Sequence, residues 1–306
     1  MTEGRARDGN QVHQLEPRES HAPGAHLPRP LVQSVFHPSG FSEATESAFA
    51  HALAISLLRQ ARLTILHAGP ERRNRIYPAR VPAVRATLER WKLLEPGSPR
   101  SAVFQELGLQ VQKFAMPSRD PVTTTLEYLD REPSDLMVLA TQGRDRPPRW
   151  VRCSTAVRLA RQSRTMSLFV PSGTRGFVAV EDGRLSLRRI LIPVDHHPSA
   201  RAAIQFATRA ASVMGDDCVD ITVLHVGDSN PIADLTLPED PRWSWNLLER
   251  RGDLLEEISA TVDEIRPDLI AMVTEGREEV PNAMRDSIAE QVLRESTCPM
   301  LAVPAA

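Results

Sequence analysis

The order of apolar and polar positions along the chain predicts strands and helices in alternation. Short apolar runs at 31–36 and 63–67 flank residues 42–60, whose apolar positions follow helical spacing behind Ser42, a plausible helix cap. Strand, helix and strand in this order favour a parallel pair joined by a right-handed crossover. The pattern therefore predicts an α/β fold built on parallel sheet.

The rest of the chain continues the alternation. An insertion at 69–107 follows the second strand, and two short strands around Asp182 and Gly183 predict a hairpin at 177–187. The other predicted strands are at 109–116, 136–141, 167–170, 189–194, 220–226, 243–249, 269–274 and 299–303; the other predicted helices are at 81–94, 101–107, 121–130, 156–162, 200–214, 254–265 and 283–294.

One pattern occurs twice and indicates an internal duplication. Asp-Leu-Met or Asp-Leu-Ile opens an apolar run that ends in Thr-x-Gly-Arg, at 135–144 and again at 268–277. After each glycine come nine residues and then a pair that ends in serine, Cys153-Ser154 in the first copy and Asp286-Ser287 in the second. A helical stretch and a short strand that ends in Val-Pro follow in both. We predict two copies of one domain, residues 31–172 and 188–306, joined by a hairpin linker at 173–187 and preceded by a flexible tail at 1–30.

Composition narrows the functional classes. The 306 residues carry a formal net charge of -2, so no basic nucleic-acid surface is expected. No apolar run approaches the roughly 20 residues of a membrane helix, and no signal-like segment begins the chain. The three cysteines are far apart in sequence, which argues against a disulfide framework and favours a cytoplasmic location.

The second copy resembles a universal stress protein (UspA-type) domain, and the first copy resembles a diverged one. The resemblance rests on Arg-Ile-Leu-Ile-Pro-Val-Asp ending at Asp195, Leu-His-Val ending at Val226, Thr-Glu-Gly-Arg around Gly276, and Cys-Pro-Met-Leu-Ala-Val from Cys298. It implies two tandem, doubly wound, parallel-sheet domains of the adenine nucleotide alpha hydrolase-like class. In this family the last strands pair antiparallel across a dimer, so those at 167–170 and 300–303 are expected to pair within the chain.

The resemblance also implies candidate nucleotide contacts. ATP-binding members use Gly-x-x-Gly, nine residues, then Gly-Ser or Gly-Thr, with an Asp closing the first strand and a Val closing the second. In this chain the matching positions are Asp195, Val226, Gly276 and Ser287 in the second copy and Gly143 and Ser154 in the first. In the first copy the family Asp falls near His37 or Pro38 and the family Val at Ala68, so the nucleoside end is expected to be lost there.

The residues of the two loops indicate that both copies have lost part of the phosphate-binding site. Glycines let backbone N–H groups approach phosphate, and each loop keeps only the second glycine of its first pair. The loop of the second copy carries acidic residues that would repel a triphosphate: Glu275, Glu278, Glu279 and Asp286. The first loop carries Pro147 and Pro148, which lack N–H donors, and four arginines that form either an anion site or a solvated surface: Arg144, Arg146, Arg149 and Arg152.

Other candidate chemistry has a simpler interpretation. His196 and His197 are adjacent, so their side chains diverge and a polar turn is favoured over a metal site. His67 and His225 each close a second strand, where packing or hydrogen bonding outweighs catalysis. Ser154 and Ser287 lack the context of a catalytic triad and are expected to be helix caps. No P-loop or dinucleotide-binding glycine motif is present.

Two functional hypotheses follow. The first is a tandem universal stress protein that acts as a stress-response binding or regulatory protein, with degenerate nucleotide sites, no cofactor and no enzymatic turnover. Its two domains would pair with each other within the chain, and a second copy of the chain or unidentified proteins could bind in addition. Neither nucleic acid nor a membrane is expected as a partner. The second hypothesis is ATP binding by the second copy, with slow hydrolysis or autophosphorylation.

Overall fold

The described residues of the protein fold around one ten-stranded sheet with strand order β3-β2-β1-β4-β5-β10-β9-β6-β7-β8. The computed structural model describes residues 32–39, 44–69, 83–141, 155–174, 176–195, 199–228, 235–274 and 287–305. The predicted tail at 1–30 and the predicted cap Ser42 lie outside these residues.

The strands and helices alternate as the sequence pattern predicts. The strands are β1 Ser34–Pro38, β2 Arg62–Gly69, β3 Val111–Pro117, β4 Leu136–Thr141, β5 Met166–Pro171, β6 Leu187–Val194, β7 Gly215–Val226, β8 Trp243–Arg250, β9 Leu269–Thr274 and β10 Met300–Pro304. The helices are α1 Ala44–Arg59, α2 Val84–Arg90, α3 Ala102–Gln105, α4 Pro121–Arg131, α5 Thr155–Ser163, α6 Arg201–Met214, α7 Leu254–Ile265 and α8 Ile288–Glu295.

The sheet consists of two parallel halves joined by one antiparallel pair. Strands β1 to β5 form one half and β6 to β10 the other, and the strands within each half run parallel. At the junction β5 and β10 run antiparallel, with Leu168 opposite Leu301. The predicted tandem of doubly wound α/β units, and the antiparallel pairing of their last strands within the chain, are confirmed.

Helices cover both faces of the sheet. Helices α1, α2, α3 and α6 contribute to one apolar cluster, and α4, α5, α7 and α8 contribute to the other. The central strands are therefore apolar on both sides, as parallel strands buried between helix layers require. Across the junction, Arg161 of α5 pairs with the buried Glu290 of α8, which adds a charged contact between the two halves.

The hairpin linker is ordered and is held by the insertion. Val178 and Leu185 form an isolated antiparallel bridge, and Ala179 N–H donates to Arg184 O at 3.0 Å, so the two predicted strands are reduced to one bridge. Trp91, just after α2, donates its indole N–H to Val180 O at 2.9 Å. The predicted hairpin around Asp182 and Gly183 is therefore present as a single bridge, and the residue after the insertion helix α2 contacts it.

We expect Gly183→Ala to destabilise the protein by about 2 kcal/mol, because two costs coincide at this position. Gly183 has φ +72°, and a Cβ there would lie 2.5 Å from the Trp91 ring. Gly173 is the matched control, since it has φ +74° but no atom within 4 Å of an added Cβ. Denaturant unfolding of both variants should show a clearly larger loss for Gly183→Ala, and equal losses would contradict docking of the linker on Trp91.

The observed elements differ from the predicted ones mainly at their ends. Helices α2 and α3 are shorter than the helical spacing predicts. Strand β7 begins at Gly215 rather than Asp220, because a register shift between Leu187 and Arg189 allows its first residues to pair with β6. Among the described residues, no helix combines the length and apolar character needed to cross a membrane.

Candidate functional site

The candidate site lies where the strand order reverses. From β6 the chain runs to β7 and β8 on one side, whereas β9 and β10 lie on the other. In open α/β sheets this switch point leaves a crevice at the carboxyl ends of the strands. Asp195 directly follows β6, Val226 ends β7 and Thr274 ends β9, so these residues lie at that edge.

The aspartates that open the repeated pattern lie at the opposite edge and are structural. Asp268 Oδ2 accepts from Arg188 N–H and Arg189 N–H, both at 2.9 Å, and so ties the start of β6 to the start of β9. Asp135 makes the same contacts to Gln33 N–H at 2.8 Å and Ser34 N–H at 2.9 Å. Both copies thus keep an aspartate that joins the starts of two neighbouring strands. The repeated sequence pattern identifies this residue but does not reveal its hydrogen bonds.

Asp195 is placed where a ligand can reach it. It is exposed and forms an isolated parallel bridge with Ser199, just before α6 begins at Arg201. Val194, the residue before it, is buried in the core. An exposed carboxylate directly after a buried strand end is suitably placed for accepting hydrogen bonds from a polar ligand.

His225 and Val226 complete the neighbouring strand end. His225 is buried, and its Nδ1–H donates to Val194 O at 3.2 Å, since a carbonyl oxygen can only accept. Val226 is half-buried against the apolar cluster of the α4, α5, α7 and α8 face. The prediction that His225 has a hydrogen-bonding role is confirmed.

Ser287 caps a helix, as predicted. It is the N-cap of α8, and its Oγ accepts from Glu290 N–H at 3.3 Å. The hydroxyl proton is not used by that bond and is free to donate to another acceptor. A role of Ser287 in holding a phosphate stays a prediction.

The first copy has the same framework but different residues at the site. His67 Nδ1–H donates to Ser39 O at 2.9 Å, which makes Ser39 the counterpart of Val194 and Ala68 the counterpart of Val226. The counterpart of Asp195 is therefore Gly40, which lies outside the described residues. The expectation that the family Asp falls near His37 or Pro38 is wrong, because the pairing of β1 with β4 and of β6 with β9 makes these two residues the counterparts of Ile192 and Pro193.

His37 instead takes the place of Ile192 inside the core. It is fully buried, and its Nδ1–H donates to Val138 O at 2.9 Å while the ring lies 6.1 Å from that of Phe49. Nε2 has no hydrogen-bond partner among the described residues. Burial lowers the pKa of His37 to about 4, so the ring is neutral at physiological pH. A lone histidine within an apolar run was the only sequence signal for this group.

Several predicted site residues lie outside the described residues. These are Gly143, Ser154 and Gly276, the arginines Arg144, Arg146, Arg149 and Arg152, the acidic residues Glu275, Glu278, Glu279 and Asp286, and the pair His196 and His197. Within the part of the chain that the structure describes, no cluster of three or more His, Cys, Asp or Glu side chains could hold a metal ion.

Comparisons with known proteins agree with the fold. The sequence profile of the universal stress protein family matches residues 35–171 and 244–304. A universal stress protein from Archaeoglobus fulgidus is similar in structure, with a TM-score of 0.60, 15% identity, and coverage of 90% of this chain and 99% of that one. A protein of unknown function from Pseudomonas aeruginosa has the same TM-score of 0.60 and identity of 15%, and the match covers 90% of this chain and 93% of that one. No curated protein matches the chain. Asp195 and Val226 lie between the two profile segments.

Proposed function

Because the chain belongs to the universal stress protein family, we propose that it is a stress-response binding and regulatory protein rather than a turnover enzyme. In this proposal the nucleotide sites are degenerate, and the second copy keeps the nucleoside end of its site. The observation that carries the proposal is the position of the exposed Asp195 and of Val226 at the ends of the adjacent strands β6 and β7. The matching positions of the first copy are Gly40 and Ala68 in the sequence.

The phosphate end of the second site supports binding without turnover. The loop after β9 keeps one glycine of the pair that would cradle phosphate, and acidic side chains surround it in sequence. Each like charge near a phosphate costs on the order of 1 kcal/mol even when partly screened. Ser287 Oγ accepts the capping hydrogen bond from Glu290 N–H of α8, a structural role that accounts for this serine without nucleophilic activation.

A second candidate function is ATP binding by the second copy, with slow hydrolysis or autophosphorylation. The free proton of the Ser287 hydroxyl and the start of α8 favour it, because a helix N-terminus attracts anions. We place it second because the acidic loop residues oppose a triphosphate.

The partners and the location belong to the same proposal. The two halves already pair through β5 and β10, so further partners would be a second copy of the chain or other proteins, which bind surfaces away from that junction. The described cysteines are free, with Cys218 exposed and Cys298 buried, as expected in the reducing cytoplasm.

Calorimetric titration of AMP and of ATP-Mg into the full chain tests the proposal. We expect AMP to bind more tightly than ATP, because the nucleoside contacts remain while the loop repels the added phosphates. Asp195→Ala should abolish AMP binding, and Asp217→Ala, which removes an exposed carboxylate elsewhere, should leave it unchanged. Micromolar ATP binding that is tighter than AMP binding would favour the second candidate, and no heat with either ligand would refute a nucleoside site.

A further inference from the structure

We infer that His225 is a positioning residue for the second-copy site, holding the Asp195 and Val226 strand ends in the spacing that a nucleoside requires. This inference rests on the proposed function of that site. His225 is buried and acts through the backbone on either side of it.

The first contact that carries the inference is to β6. The Nδ1–H of His225 donates to Val194 O at 3.2 Å. Val194 is the last residue of β6 and the residue before Asp195, so the imidazole fixes the point from which the Asp195 carboxylate projects. Both Val194 and His225 are buried, which keeps water from replacing this donor.

The second contact is to the end of the strand that carries His225. A Cβ added to Gly227 would lie 3.1 Å from His225 Nε2, so the ring occupies the space directly beside this glycine. Gly227 N–H donates to Arg250 O at 3.0 Å, which holds the chain after Val226 against β8. The ring therefore lies between the ends of β6 and β7, and removing it would loosen both.

The first copy provides a matched control within the same chain. His67 donates from Nδ1 to Ser39 O at 2.9 Å, and its Nε2 lies 2.9 Å from a Cβ added to Gly69. The packing role is therefore the same in both copies. The site differs, because the first copy lacks the Asp and the Val. A change in ligand affinity at His225 but not at His67 would identify positioning rather than general stability.

The experiment compares His225→Leu, His225→Asn and His67→Leu in the full chain. We expect His225→Leu to weaken AMP binding about tenfold in calorimetry, the effect of losing one buried hydrogen bond that orients the site. Asn carries an amide donor near the position of Nδ1, so His225→Asn should retain most of the affinity. His67→Leu should lower the melting temperature as much as His225→Leu while leaving AMP affinity unchanged.

Amide hydrogen exchange tests the inference apart from nucleotide binding. His225→Leu should accelerate exchange in peptides that cover Val194 and Gly227, and His67→Leu should instead accelerate it around Gly69. If the wild-type chain binds neither AMP nor ATP, the proposed function fails and exchange alone decides whether His225 holds these strand ends. Unchanged exchange at Val194 and Gly227, or an AMP affinity of His225→Leu equal to that of wild type, would overturn the inference.

Discussion

Acidification from pH 7 to pH 4.5 is expected to lower the free energy of unfolding by about 5 kcal/mol, because two histidines are buried in neutral form. His37 and His51 are fully buried, and desolvation lowers the pKa of each from 6.5 to about 4. Between pH 6.5 and pH 4.5 the unfolded ring is mostly protonated and the folded ring mostly neutral, so each pH unit of this range costs nearly 1.4 kcal/mol and each ring contributes about 2.5 kcal/mol of the loss.

The direction of the effect follows from where protons bind. Below pH 6.5 the unfolded chain protonates both rings, whereas the folded chain resists protonation until about pH 4. Stability is therefore fully present above pH 6.5 and falls between pH 6.5 and 4. His51 resists protonation because it is fully buried, with its ring edge-on to Phe177 at 4.6 Å between centroids. The hydrogen bond from its Nδ1–H to Ser47 O at 2.7 Å raises the pKa and only partly offsets this desolvation.

Chemical denaturation at a series of pH values measures this loss, with His37→Leu/His51→Leu as the comparison. The double variant should show a nearly flat profile between pH 6.5 and 4.5. Asp120 and Asp240 do not confuse the result, because hydrogen bonds lower the pKa of each carboxyl and their contribution disappears only below its usual range. A wild-type stability that is equal at pH 7 and pH 4.5 would contradict the prediction.

Leu168→Asp is expected to destabilise the protein by about 4 kcal/mol or more and to disrupt the junction between the two halves. Leu168 is 2% exposed and lies opposite Leu301 in the β5–β10 pair. A carboxylate there has no cationic partner among its register neighbours, so it is either buried unpaired or forces the strands apart.

Leu247→Asp is the control for this substitution. Leu247 lies on β8 at the edge of the sheet and is 51% exposed, so the same chemical change should alter stability by less than about 1 kcal/mol. Urea unfolding of both variants measures the difference. A similar loss in both would show that the β5–β10 junction is not a principal source of stability.

Periodicity predicted the elements best where burial and turn signals coincide. The bounds of β4, α7 and β9 match their predictions, because each is an apolar run or helical face between clear polar breaks. The bounds of the insertion helices α2 and α3 were harder to predict, because these helices depend on contacts with the linker and the core as well as on their own apolar spacing.

The site was predicted only in part. Asp195, Val226 and Ser287 lie at strand or helix ends as expected, because those ends follow from the pattern of apolar runs. The counterpart of Asp195 in the first copy was misplaced, since register depends on pairing between strands that are distant in sequence. The burial of His37 was not predicted, because a polar residue within a strand does not show from the sequence alone whether a helix covers that side of the sheet.

The ion pair between Arg161 and Glu290 has a consequence for the history of the two halves. In a symmetric dimer of single domains every interface contact occurs twice. Here the counterparts of Arg161 and Glu290 are Arg294 and Val157, so the mirror-image position has no carboxylate to offer. Because the two halves are covalently linked, each is present at a high local concentration near the other, so their junction does not need the affinity of a dimer of separate chains. The first half therefore cannot form this ion pair with a second copy of itself, because Val157 stands where the second half has Glu290. The second half carries both an arginine and a glutamate at the two positions, so the loss of symmetry lies in the first half.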